Sequence, residues 1–178
     1  GEVDRVTLHH IHLHGESPWS AKGASGRLRS NALFTAGNQN RDVNEGRVDF
    51  NSILLTDTPK LFYRGVIPLD AAIVQVSPPD DKGFCSLGTS VDIVRAAVLM
   101  SPRVIALVND RMPRTHGEGL IHSSHFDAMV RAEGHELYEK PKSAAGETEC
   151  VIGKLIADNL VDDGATLQMG VGDIPDSV

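Results

Sequence analysis

No segment narrows the fold of this chain more than Asp70–Val76, D-A-A-I-V-Q-V, which runs straight into S-P-P-D-D-K-G. The first seven residues are almost continuously apolar, partly β-branched and of strand length. Such a run is typical of a strand buried on both faces, the usual state of a parallel sheet. Two prolines and Gly83 then force a turn. Aromatic residues make up only 4% of the chain, so the core must rest on Val, Ile, Leu and Ala.

Similar elements recur on both sides. Val6–Leu13 alternates as a strand, and Ser17–Ser30 is a Gly-, Ser- and Ala-rich exposed loop around Trp19. Asn31–Ala36 is a short apolar run broken by Gly37-Asn38, and Arg41–Gly46 is a short helix closed by glycine. Phe50–Leu55 reads as a strand. Thr58–Arg64 reads as a helix with Pro59 in its first turn and Gly65 after its end. Val91–Met100 has helical spacing with Val91, Val94, Ala97 and Val98 on one face, and Arg103–Val108 is again a strand. A loop over Met112–Gly119 and a short element within His122–Arg131 lead to a linker at Lys140–Gly146. The helix predicted over Glu147–Val161 turns Ile152, Leu155, Ile156 and Leu160 inward. Ala165–Met169 alternates, stops at Gly170-Val171-Gly172, and gives way to a helix start at Asp173-Ile174-Pro175. Strands and helices in alternation predict an α/β fold with an open, mostly parallel sheet and crossover helices. The first domain is expected over residues 1–142 and the start of a second, similar one over 143–178.

A formal net charge of −7 with no cluster of Lys and Arg argues against nucleic acid as a partner. No apolar stretch approaches the roughly 20 residues of a membrane span. Cys85 and Cys150 lie too far apart in sequence for a metal-type pair or a disulfide framework, which points to a reducing compartment. The chain opens Gly-Glu-Val and enters a strand almost at once, so further sequence is expected upstream.

Four constellations could carry chemistry. His10, His12 and His14 alternate on one strand face with His9 on the other, and a His-x-His pair can hold zinc. The competing reading is local hydrogen bonding or solvent exposure. Gln75-Val76-Ser77-Pro78-Pro79-Asp80 puts a buried amide near the carboxyl end of a strand, where open α/β sheets bind ligands. Met112-Pro113-Arg114-Thr115 follows another strand, and Arg114 could pair with a carboxylate or phosphate. The Gly170-Val171-Gly172 turn bares backbone N–H groups, but no third glycine follows and Pro175 intrudes, so it departs from the dinucleotide fingerprint.

Taken in order, V-N-E-G-R-V-D-F (43–50), Q-V-S-P-P-D (75–80), G-F-C-S-L-G (83–88), M-P-R-T (112–115), Ile121-His122 and L-Q-M-G-V-G-D-I-P (167–175), with Gly37-Asn38, resemble the acetyl-CoA hydrolase/transferase family, which includes 4-hydroxybutyrate CoA-transferase. The resemblance covers the chain from about residue 5 to residue 178. It implies two similar α/β domains, coenzyme A as substrate rather than resident cofactor, and transfer of CoA between acetyl-CoA and a short-chain carboxylate such as 4-hydroxybutyrate. It also implies a nucleophilic glutamate reached a few tens of residues after the glycine turn. No glutamate present matches that position; Glu45 and Glu118 lie in other contexts. The nucleophile is therefore expected beyond residue 178, and a polypeptide of these residues alone is expected to be inactive.

Carried over residue by residue, the resemblance places Gly170, Gly172, Ile174 and Pro175 near the acyl-CoA thioester. Gln75, Ser77 and Pro78 form an opposing wall, and Met112, Pro113, Arg114 and Thr115 border the same cleft. The alternatives are an acetyl-CoA hydrolase of the same family, a zinc metallohydrolase using His10 and His12, and a non-catalytic CoA-binding module. A homo-oligomer in the cytoplasm or mitochondrial matrix, without membrane or nucleic-acid partners, completes the expectation.

Overall fold

The computed structural model describes residues 4–21, 26–35, 39–139 and 145–178. They form two compact units, residues 1–138 and 139–178. The expected boundary at 142/143, most of the linker over 140–146, and Gly37-Asn38 fall outside the described residues.

In the first unit, β1 (Val6–His10), β2 (Leu28–Ala32) and β3 (Val48–Phe50) make a parallel sheet in that order. A second parallel sheet has the order β4 (Ala72–Val76), β6 (Val104–Val108), β8 (Ala128–Arg131), with β5 (Phe84–Ser86) paired antiparallel to β7 (Leu120–His122). Helices α1 (Asn40–Asn44), α2 (Thr58–Tyr63) and α3 (Val94–Met100) lie between strands in sequence. The parallel α/β character read from the alternation is present, with the strands divided between these sheets.

Several local expectations need correcting. Β-structure begins inside the predicted 17–30 loop at Leu28, because Leu28–Ala32 finds both β1 and β3 as partners. The strand expected over 50–55 instead ends at Phe50, and residues 54–58 turn into α2 through Thr58 N–H to Leu54 C=O. Β4 is not buried throughout: Ala72, Val74 and Val76 face the core, whereas Ile73 is 77% exposed. Ile73 lies open to solvent on the second face, so the strand shows period two despite its apolar sequence.

Helix α3 joins two cores. Val98, flanked by Val91, Val94 and Ala97, packs on Val74, Val76, Val104, Ala106 and Val108 of the second sheet. Its other side gives Ile93 and Ala96 to a cluster with Ile11, Leu33 and Phe62. Burying each Val, Ile, Leu or Phe side chain among these contributes about 1.5–3 kcal/mol. Helix α2 forms as predicted, with Pro59 in its first turn and Gly65 beyond it at φ +65°.

The second unit holds α4 (Glu147–Leu160) and α5 (Asp173–Asp176). The inward stripe expected on α4 is only half realised: Ile152 and Ile156 are half-buried, but Leu155 and Leu160 are 59% and 76% exposed. The buried position is Gly153, against which Ser177 packs. Residues 165–169 form no strand, because they find no pairing partner among the described residues. The helix after the glycine turn is present and lasts four residues.

Candidate active site

The carboxyl ends of β4 and β6 bring together four of the sequence motifs. The chain leaves β4 through Ser77, whose N–H donates to Ser86 C=O (2.8 Å) and whose Oγ accepts from Ser86 N–H (2.8 Å). Q-V-S-P-P-D is thereby tied to G-F-C-S-L-G. Ser86 is fully buried, and its Oγ accepts from the backbone N–H groups of Gly88 and Thr115, each at 3.0 Å. Thr115 Oγ1 donates to Gly88 C=O (3.0 Å), which adds M-P-R-T. Β7 supplies Ile121-His122 opposite Cys85 and Phe84.

Asp80 organises the turn after β4. Its Oδ1 accepts from the N–H groups of Phe84 (2.8 Å) and Lys82 (3.0 Å), and its Oδ2 pairs with Arg114 Nη2 (2.5 Å). Arg114 Nη1 also donates to Phe84 C=O (3.2 Å). These partners, led by the Phe84 N–H and opposed by partial desolvation, hold the Asp80 carboxyl below its ordinary range. A folded value below the unfolded one adds stability in full above about pH 4, and that stability is lost as pH falls through the depressed value. Urea titrations between pH 2 and 6 should show part of the acid-side loss missing in Asp80→Asn.

Of the predicted cleft residues, Gln75 is half-buried, while Pro78, Pro113 and Arg114 reach the surface. Ser77 and Thr115 spend their hydroxyls on internal hydrogen bonds. Met112 is buried beneath Gly88. Asn109, which the sequence reading passed over, lies 1% exposed just past β6. Its N–H donates to Val76 C=O (2.9 Å), and its Nδ2 donates to Gln75 Oε1 (3.2 Å) and His135 C=O (3.2 Å). The available signal was an amide directly after a buried strand, at the sheet end where ligands bind.

Cys85 offers no nucleophile here. It is fully buried, and burial first, then the Asp80 charge, pushes its thiol up. Cys150 is exposed on α4. A thiol-reactive dye should therefore label one cysteine quickly in the native protein and both after denaturation; fast double labelling would contradict the packing.

The histidine face does not assemble as a metal site. Β1 stops at His10, whose Nε2 hydrogen-bonds Ser30 Oγ (2.6 Å), and burial lowers the pKa of both His9 and His10. His12 stacks near His14, which in turn stacks on Tyr138 at 3.8 Å between ring centroids. No three His, Cys, Asp or Glu side chains gather to hold a metal ion among the described residues. That geometry removes the support for zinc hydrolysis through His10 and His12.

V-N-E-G-R-V-D-F has a structural use. Gly46 turns at φ +73°, and Arg47 binds Asp42, Glu45 and the Ser20 carbonyl. Glu45 also pairs with Arg41 (2.7 Å). A cavity of about 250 Å³ nearby is lined by Arg5, Trp19, Leu28, Arg29 and Arg47, at the amino ends of the first sheet's strands. Arg29 there is paired with Asp49 (2.5 Å).

In the second unit, Gly172 lies at φ +142°, and Val171 between the glycines is 98% exposed. Ile174 and Pro175 sit within α5. The turn is open to solvent, as ligand access to its backbone requires. Among the described residues, no helix is long and apolar enough to cross a membrane.

The acetyl-CoA hydrolase/transferase N-terminal domain model matches residues 6–137. A succinyl-CoA:acetate/propanoyl-CoA:succinate CoA transferase of Fasciola hepatica is 47% identical over 168 residues, 94% of this chain and 35% of the relative. A 4-hydroxybutyrate coenzyme A transferase of Clostridium kluyveri is 41% identical over 169 residues, 95% of this chain and 39% of the relative. The crystal structure of a 4-hydroxybutyrate CoA-transferase from Porphyromonas gingivalis superposes with a TM-score of 0.61 at 36% identity, covering 84% of this chain and 38% of that one. The chain thus spans little more than a third of the length of these proteins.

Proposed function

The chain belongs to the acetyl-CoA hydrolase/transferase family, and from that membership we propose that the polypeptide carrying it is a CoA-transferase, moving CoA between acetyl-CoA and a short-chain carboxylate such as 4-hydroxybutyrate. The observation that carries this reading is the 47% and 41% identity to two named CoA transferases across nearly the whole chain. The nucleophile is a glutamate beyond residue 178. Its carboxylate attacks the thioester carbonyl and expels CoA thiolate, leaving an acyl-glutamyl anhydride. The thiolate attacks the glutamyl carbonyl, releasing the acyl group as its carboxylate and leaving an enzyme thioester. The acceptor carboxylate then repeats the sequence in reverse. Each covalent step passes through an oxyanion that fixed donors must stabilise.

Within the first unit, Gln75, Ser77, Pro78 and Met112–Thr115, at the carboxyl ends of β4 and β6, line the substrate cleft. Within the second unit, Gly170, Gly172, Ile174 and Pro175 bind acyl-CoA near its thioester. Hydrolysis by the same site differs only in whether water reaches the anhydride or the thioester. The reaction belongs in the cytoplasm or mitochondrial matrix, where Cys85 and Cys150 stay reduced. The test mixes acetyl-CoA with 4-hydroxybutyrate, propionate or succinate and follows the new acyl-CoA by mass. Transfer with ping-pong kinetics is expected. Release of free CoA at the same rate with and without acceptor would identify a hydrolase, and no consumption of acetyl-CoA would reject both.

A further inference from the structure

Resting on that reading, we propose that Asn109 is a positioning residue that locks the Gln75 amide with its NH2 group outward, so that this sheet end offers a hydrogen-bond donor to an acyl oxygen of the substrate. The backbone carbonyl of His135 can only accept. Its hydrogen bond with Asn109 at 3.2 Å therefore requires the Asn109 nitrogen on that side. The Asn109 oxygen is fixed independently, because it accepts from Arg111 N–H at 2.9 Å. With its orientation settled twice, Asn109 presents its second N–H to Gln75, which must answer with Oε1 (3.2 Å).

Gln75 Nε2 is thereby placed on the far side of its planar amide, and it has no hydrogen-bond partner among the described residues. The Nε2 atom is open to solvent, so a ligand acceptor can reach it in exchange for water. Gln75 shares its sheet face with Ile73, Ile105 and Leu107. Ile73 and Ile105 are exposed on that face, so the amide is reached from solvent and its hydrogen bond to a ligand replaces one to water. The ligand class follows from polarity: a carboxylate or thioester carbonyl oxygen fits, and a ligand N–H does not.

Two measurements test this. In the isotope-labelled protein, couplings across the hydrogen bonds should link Asn109 Nδ2 to the Gln75 side-chain carbonyl carbon and to the His135 carbonyl carbon. A coupling from Gln75 Nε2 to the Asn109 side-chain carbonyl carbon would overturn the proposal, whether or not the protein turns over. In the transfer assay, Gln75→Ala should raise one KM about tenfold or more. A rise in the carboxylate KM identifies the acceptor as the ligand, and a rise in the acetyl-CoA KM identifies the thioester carbonyl. Asn109→Ala should raise the same KM, and should add nothing in the Gln75→Ala background. Additive losses, or unchanged KM values in Gln75→Ala, would overturn the proposal. Absence of transfer in the unmodified protein would instead sink the functional reading.

Discussion

Replacing Gly88 with alanine is expected to destabilise the protein by about 2–4 kcal/mol. Gly88 sits at φ +60°, where an L side chain is strained whatever the space. There is also no space: a Cβ would stand 2.5 Å from Met112 Cγ and 3.0 Å from the Pro113 carbonyl oxygen, and would press on Met112 Sδ. Met112 is only 6% exposed and cannot swing into solvent without opening the core. Gly88 also holds the site together, since its N–H reaches Ser86 and its carbonyl receives Thr115. Denaturant unfolding should show a lower midpoint at an unchanged slope. A loss below about 1 kcal/mol would mean that the close approach of residues 88 and 112 is wrong.

Gly153→Ala should release α5 from α4 while strengthening α4 itself. Alanine is favoured over glycine inside a helix by about 1 kcal/mol, so propensity alone predicts a gain. The added Cβ would however lie 2.5 Å from the Ser177 carbonyl oxygen and 2.6 Å from its carbon, both backbone atoms that no rotamer change can move. The clash outweighs the gain, and the short helix yields because it is held by little else. Amide exchange at Ser177 and Val178, whose N–H groups bond Ile174 and Pro175, should accelerate more than about tenfold. Helical circular dichroism should hold or rise. Retained protection at both amides would contradict the docking. Because α5 directly follows Gly172, the same substitution should loosen the glycine turn.

The sequence was most legible where a local signal sufficed. Pro59 and Gly65 bracket α2, Gly46 closes the turn after α1, and β4 and β6 are apolar runs bounded by turn residues. Β5 and β7 were illegible, because three-residue strands carry no period and exist only through pairing across more than thirty residues. The exposed Leu155 and Leu160 mark the limit of a helical pattern, which identifies an apolar stripe but not whether anything covers it. At the site, motif order showed which segments mattered. The Asp80–Arg114 bond and the dependence of Gln75 on Asn109 join residues 34 apart in sequence and emerge only from the fold.

In the function proposed, acyl-CoA chemistry uses the carboxyl ends of β4 and β6. Hydrogen–deuterium exchange on the polypeptide carrying this chain, with and without acetyl-CoA, locates it. Slowed exchange over residues 75–88 and 109–115 is expected. Protection confined to the arginine-lined cavity at the amino ends of the first sheet's strands, around Arg5, Arg29 and Arg47, would overturn that placement.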